Sequence, residues 1–206
     1  MWKAITAAAL LAQYANGQAM LRFACSQLVV ERTDPIVNPG AIFTPHLHQI
    51  VGGNSFNITM DPDHHDLPSL STCTSCSFKE DLSNYWTAVL FYRNNQGKYI
   101  RVPTQGNGGP QGKLVHPGGG GMDIYYIPNG RAGKMVAFKK GFRMIAGDAG
   151  NKDASKVNKN ALCHRCWTAP NENTFIGGAP CTGQDTVEIP SSKTCQLIRQ
   201  TLIFPT

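Results

Sequence analysis

Apolar and polar positions alternate most clearly over residues 85–102. In an extended chain, Trp86, Ala88, Leu90 and Tyr92 fall on one side, and Tyr85, Thr87, Val89 and Phe91 on the other. Asn94, Asn95, Gln96 and Gly97 supply turn chemistry, and residues 98–102 return with Tyr99 and Arg101 set against Ile100 and Val102. The pattern predicts a hairpin. Both alternating sets are largely apolar, so it also predicts strands buried on both faces between packed layers.

The remaining segments carry weaker versions of the same period. Residues 26–32 read as a β-branched strand, after which Asp34-Pro35 and Asn38-Pro39-Gly40 turn the chain. Residues 46–51 form the next expected strand, closed by Gly52-Gly53, and residues 54–72 are a long polar stretch. Residues 103–121 are Gly-rich and predict a surface loop. Gly118 to Gly121 lack the Lys-Ser/Thr ending and following helix of a phosphate-binding loop. Residues 122–128 and 134–148 read as strands, and residues 151–160 as a short helix or loop. Residues 195–204 close the chain in alternation, with Leu197, Arg199, Thr201 and Ile203 against Ile198, Gln200, Leu202 and Phe204. Short strands separated by turn signals predict a mostly β fold, an antiparallel β-sandwich or jelly roll with long loops.

The N-terminus changes the picture. Lys3 precedes an apolar run, and Gly17 and Ala19 stand where a signal peptidase would read small residues. Residues 1–19 are expected to be a secretory signal, with residues 20–206 the exported β-rich domain. No later stretch reaches the ~18 apolar residues a membrane helix needs. The formal charge of +6 favours acidic partners, but Lys and Arg are scattered, which argues against nucleic acid. Seven cysteines, Cys25, Cys73, Cys76, Cys163, Cys166, Cys181 and Cys195, behind a signal peptide predict disulfides and one cysteine left over. Cys73-x-x-Cys76 and Cys163-x-x-Cys166 have the internal spacing of a zinc ribbon, but the compartment favours oxidation.

Candidate chemistry is dispersed. His46 and His48 alternate with Leu47, so an extended chain puts both imidazoles on one face, where they could divide acid and base work or bind a metal. His116 and the His64-His65 pair are the possible further ligands. Glu80, Asp81 and Asp148 are the best-placed carboxylates, and Arg101 and Arg143 could neutralise a uronate. Trp86, Tyr85, Tyr92, Tyr125 and Tyr126 are candidate sugar-stacking rings. Asn57-Ile58-Thr59 is a glycosylation sequon.

Several strings occur in order: LRFACSQLVVERTDPIVNPG, PHLHQIVGGNSFNITMDP, LSTCTSCSFKEDLSNYWTAVLFYR, GGGGMDIYYIP, FKKGFRMIAGD, CHRCW and IFPT. Together they resemble the N-terminal half of a fungal secreted family classed as a domain of unknown function, whose members often carry WSC carbohydrate-binding modules. The resemblance implies an extracellular protein and a chain that continues past Thr206 into further Cys, His and Asp residues. Two functions follow as expectations. One is a glycan-acting hydrolase or lyase, with His46, His48 and Asp148 catalytic and Trp86, Tyr126 and Arg143 binding. The alternative is a non-catalytic cell-wall or carbohydrate-binding module. A copper or zinc protein is a third reading. The sequence fixes no cofactor, and the expected partner is extracellular or cell-wall polysaccharide.

Overall fold

The computed structural model describes residues 20–104, 121–128, 135–168 and 181–204. The expected signal segment 1–19, His116 and most of the Gly-rich loop lie outside them. The chain is mostly β, built of antiparallel sheets. Strands β1 (Leu21–Ser26) and β7 (Gly121–Tyr126) pair in one sheet. Strands β2 (Val29–Glu31), β3 (His48–Gly52) and β4 (Asn84–Ala88) form a second, with β3 central. β5 (Phe91–Arg93) and β6 (Tyr99–Arg101) form a hairpin, and β8 (Leu162–Trp167) pairs with β9 (Leu197–Leu202). A short helix α1 (Leu67–Leu70) and a 3₁₀ turn at Ala154–Lys156 complete the described elements.

The first two sheets share one sandwich-like core, and residues 74–77 bridge β1 to the end of β3. Phe23 and Cys25 of β1 meet Val51 of β3 and Cys76, with Tyr85, Met122, Ile124 and Tyr126 packed around them. Alternation explains the selection. Register pairs share a face, so Phe23, Cys25, Met122 and Ile124 point inward together while Arg22, Asp123 and Tyr125 point out. On β3, Val51 faces this core with Tyr85, whereas His48, Ile50 and Trp86 project from the opposite face. Gly52 allows the approach of β4: its φ is +108°, and a Cβ there would stand 1.9 Å from the Ser83 carbonyl oxygen.

Disulfides join Cys25–Cys76, Cys163–Cys181 and Cys166–Cys195. Neither CxxC motif closes on itself or forms a zinc ribbon. Cys163 and Cys166 lie three apart on one strand and so project to opposite faces. The leftover cysteine is Cys73, which is exposed. Alkylation of the unreduced protein is therefore expected to label a single cysteine, Cys73, read by peptide mass spectrometry. Label on Cys25 or Cys163 would contradict this pairing.

Two expectations are corrected. The hairpin forms, with Asn94–Gly97 as its turn, but it is not buried on both faces. The long expected strand breaks after Ala88. The amide of Val89 makes a last bond to the Leu47 carbonyl, and β5–β6 then pairs only with itself. Among the described residues no second layer covers it, and Phe91, Tyr92, Tyr99 and Ile100 stand exposed. Arg101 ties the arm back, donating to the side-chain carbonyls of Gln27 (2.5 Å) and Gln49 (3.2 Å). Residues 135–148 form no strand. Gly141 (φ +74°) and Gly147 (φ +89°) break the extension, and Phe138 stacks on Phe142 at 4.1 Å across a turn closed by the Phe142 amide on the Lys139 carbonyl.

Candidate functional site

His48 opens β3 on the face turned away from the sandwich core. Its side chain is 10% exposed, and its ring orientation is set by one bond: Nδ1 lies 2.8 Å from the Thr33 carbonyl oxygen. A carbonyl only accepts, so Nδ1 carries the hydrogen, and in the neutral ring the lone pair is on Nε2. Nε2 stands 3.9 Å from Oδ2 of Asp34, beyond hydrogen-bond length. The other carboxylate oxygen, Oδ1, is held by the amides of Ile36 (3.0 Å) and Val37 (2.9 Å). The Asp34-Pro35 turn thus aims a fixed carboxylate at the open nitrogen.

His46 precedes the strand, half-buried, with its ring centroid 6.0 Å from that of His48. The two imidazoles therefore lie together, while the Leu47 carbonyl accepts the bond from β4. Glu31 is the register partner of His48 and shares its face, exposed at the margin. Trp86, across from Ile50, is on that face too, with its ring edge-on to Phe56 at 5.8 Å. The structure thus groups His46, His48, Asp34, Glu31 and Trp86 around one side of the central sheet. Asp34 and Glu31 escaped sequence reasoning, Asp34 because Asp-Pro reads only as a turn.

The other candidates lie apart. Asp148 is exposed, and its Oδ1 accepts from the Gly150 amide at 2.8 Å, a turn-capping role. Glu80 is exposed, whereas Asp81 is half-buried and accepts from the Tyr85 hydroxyl at 2.5 Å. That hydroxyl lies 2.5 Å from the Tyr126 hydroxyl. Burial, reinforced by the bond to Asp81, pushes the Tyr85 phenol above its ordinary range, and burial raises Tyr126 as well. Neither is poised as a base at neutral pH. The five candidate stacking rings make no single row. Tyr85 and Tyr126 line the sandwich, Tyr125 stands outside under Arg22, Tyr92 is on the hairpin and Trp86 is on the imidazole face.

Tyr126 does approach the segment bearing Arg143, its ring 6.1 Å from Phe138. Lys139, Lys140 and Arg143 make no ion pair among the described residues. His64 is exposed beside Asp61 (3.3 Å), and His65 donates from Nε2 to the Ser55 carbonyl (2.7 Å), both far from convergence on a metal. Among the described residues no three His, Cys, Asp or Glu side chains gather closely enough to hold a metal ion, and no helix is long and apolar enough to cross a membrane.

Residues 34–206 match a family described as a domain of unknown function (DUF1996). The chain belongs to the DUF1996 family. That match begins at Asp34, the carboxylate facing His48, and takes in both imidazoles. No curated protein and no solved structure matches the chain.

Proposed function

We propose that this DUF1996 domain acts on polysaccharide outside the cell as a hydrolase or lyase, with His46 and His48 as its acid–base pair. The observation that carries the reading is the fixed ring of His48: one nitrogen is committed to the Thr33 carbonyl, and the other is open beside a carboxylate. A base so placed takes a proton on Nε2, and the imidazolium that results is stabilised by Asp34. His46, at a 6.0 Å ring separation, is placed to return a proton to the leaving oxygen. The extracellular setting is supported by the secretory layout of residues 1–19 and by three disulfides, which persist in oxidising compartments. The fungal source and the glycan substrate are supported by the resemblance to a family associated with WSC modules. Asn57, exposed within its sequon, is the proposed glycosylation site.

A second reading, a non-catalytic wall-binding module, is favoured by the exposed Phe138–Phe142 stack flanked by Lys139, Lys140 and Arg143. One experiment separates the two. The protein is incubated with chitin, β-1,3-glucan and polygalacturonate, and soluble products are followed by chromatography. The expected result is product release by the wild type and a loss of about 10²-fold or more in a His46→Ala/His48→Ala variant that folds normally. Retention on a polymer without products would favour the binder.

A further inference from the structure

Cys163 and Cys166 lie three apart on β8, and their disulfide partners, Cys181 and Cys195, bound the segment 181–195. Both ends of that segment are therefore fixed covalently to one strand. Between them the chain pairs with the edge of β8 that faces away from β9. The His164 amide donates to the Thr186 carbonyl (2.7 Å), and the Thr186 amide returns a bond to the His164 carbonyl (2.9 Å). The His164 ring adds a third tie, its Nδ1 2.9 Å from the Val187 carbonyl oxygen. A carbonyl only accepts, so Nδ1 carries the hydrogen and Nε2 of the neutral ring carries a lone pair. That lone pair faces an amide donor, Nε2 of Gln200 at 3.4 Å, on the register partner of His164 in β9.

This environment suits the neutral imidazole and opposes the cation. A second proton would turn Nε2 into a donor facing the Gln200 amide, and would place a charge on a residue that is 3% exposed. On the ring's face β8 carries Leu162 and the bridged Cys166, and β9 carries Ile198, Gln200 and Leu202, none of them charged. Of the charged groups on the segment, Asp185 is held by Arg165 and Arg199, which project from the opposite face, while Glu188 and Lys193 are exposed. Among the described residues His164 makes no ion pair. Burial accordingly lowers the imidazole pKa, against the backbone bonds to Val187 and Thr186.

We propose that residues 186–194 form a strap that lifts from β8 on acidification, with His164 as its titrating catch and the Cys181 and Cys195 bridges as its tethers. Lifting frees the edge of β8 now paired with Thr186, and the two tethers keep the strap beside that edge for reclosure. With a folded imidazole pKa below the unfolded value of about 6.5, the catch is fully closed above about pH 6.5 and is lost as pH falls through the folded value. Asp185 stays ionised until below about pH 4, so its bonds to Arg165 and Arg199 hold the start of the segment while the strap beyond it opens.

Hydrogen exchange of the full chain tests this, with each amide's rate taken relative to its unstructured rate at the same pH. Protection of the His164 and Thr186 amides is expected to fall about tenfold or more between about pH 7 and about pH 5, while the β1–β7 amides keep theirs. His164→Asn retains a side-chain N–H donor and does not titrate, so its protection is expected to be equal at the two pH values. Should that variant not fold, NMR titration of the wild-type His164 ring decides, because the proposal requires a pKa below about 6.5. Wild-type protection that does not change with pH, a fall that persists in His164→Asn, an equal fall across β1–β7, or an imidazole pKa at or above about 6.5 would each overturn the proposal.

Discussion

Replacing Cys25 and Cys76 together by alanine is expected to lower the stability of the domain by about 4 kcal/mol, the chain-entropy value for a loop of this length. The bridge spans 51 residues and closes the longest of the three loops. It also sits in the core: Cys25 is fully buried, and the two half-cystines pack with Phe23 and Val51 between the two sheets. Its loss therefore opens the loop, residues 25–76, within which both imidazoles lie. The Cys163–Cys181 bridge spans only 18 residues and is expected to contribute less, about 3 kcal/mol on the same scale. Denaturant unfolding of the two double variants checks the order. A Cys25/Cys76 variant as stable as the wild type would show that the sandwich closes without its staple.

Asp185→Ala is expected to cost about 3–5 kcal/mol, because it leaves two guanidiniums without the carboxylate between them. The Asp185 side chain is fully buried. It accepts from Arg165, from Arg199 at 3.0 Å and from the Cys181 amide at 2.8 Å, and Arg165 and Arg199 are register partners on β8 and β9. Burial alone would raise its pKa, but the Arg165 bond and the Arg199 and Arg165 charges together hold it below the ordinary carboxylate value. The direction fixes the pH dependence. With a folded pKa below the unfolded value of about 3.9, the contribution is fully present above about pH 4 and is lost as pH falls through the folded pKa. Thermal midpoints between pH 2 and pH 7 should therefore drop more steeply in the wild type than in Asp185→Asn, which carries no titrating group at this position. Parallel profiles would contradict the assignment.

The sequence showed its strands where they pair within a buried layer, and misled where they do not. Residues 122–128 alternate because one face of β7, with Met122, Ile124 and Tyr126, packs on the core, and β7 and β9 both formed close to their expected bounds. Residues 91–102 alternate just as well, yet no second sheet among the described residues covers the hairpin, because period two reports extension and not what covers it. Residues 134–148 were apolar enough for a strand, but their phenylalanines stack on each other around a glycine turn. The site was legible in part. The two imidazoles do lie near each other, at a ring separation of 6.0 Å, but His46 sits in a bend ahead of β3 and not on the strand whose alternation the spacing assumed. Asp34 was hidden in a turn signal, because Asp-Pro marks a bend and not the ring its carboxylate faces. The disulfide partners were likewise beyond spacing, since each bridge leaves its own CxxC motif.

The central claim is that the open nitrogen of His48 moves a proton on a polysaccharide. Product release by His48→Ala, with and without added imidazole, tests it most directly. The account predicts release by the wild type, a fall of about 10²–10⁴-fold in His48→Ala, and partial recovery that rises with imidazole concentration as the free base occupies the vacated side-chain space beside Asp34. Product release by a folded His48→Ala variant at the wild-type rate, or none by the wild type on any polysaccharide, would contradict it.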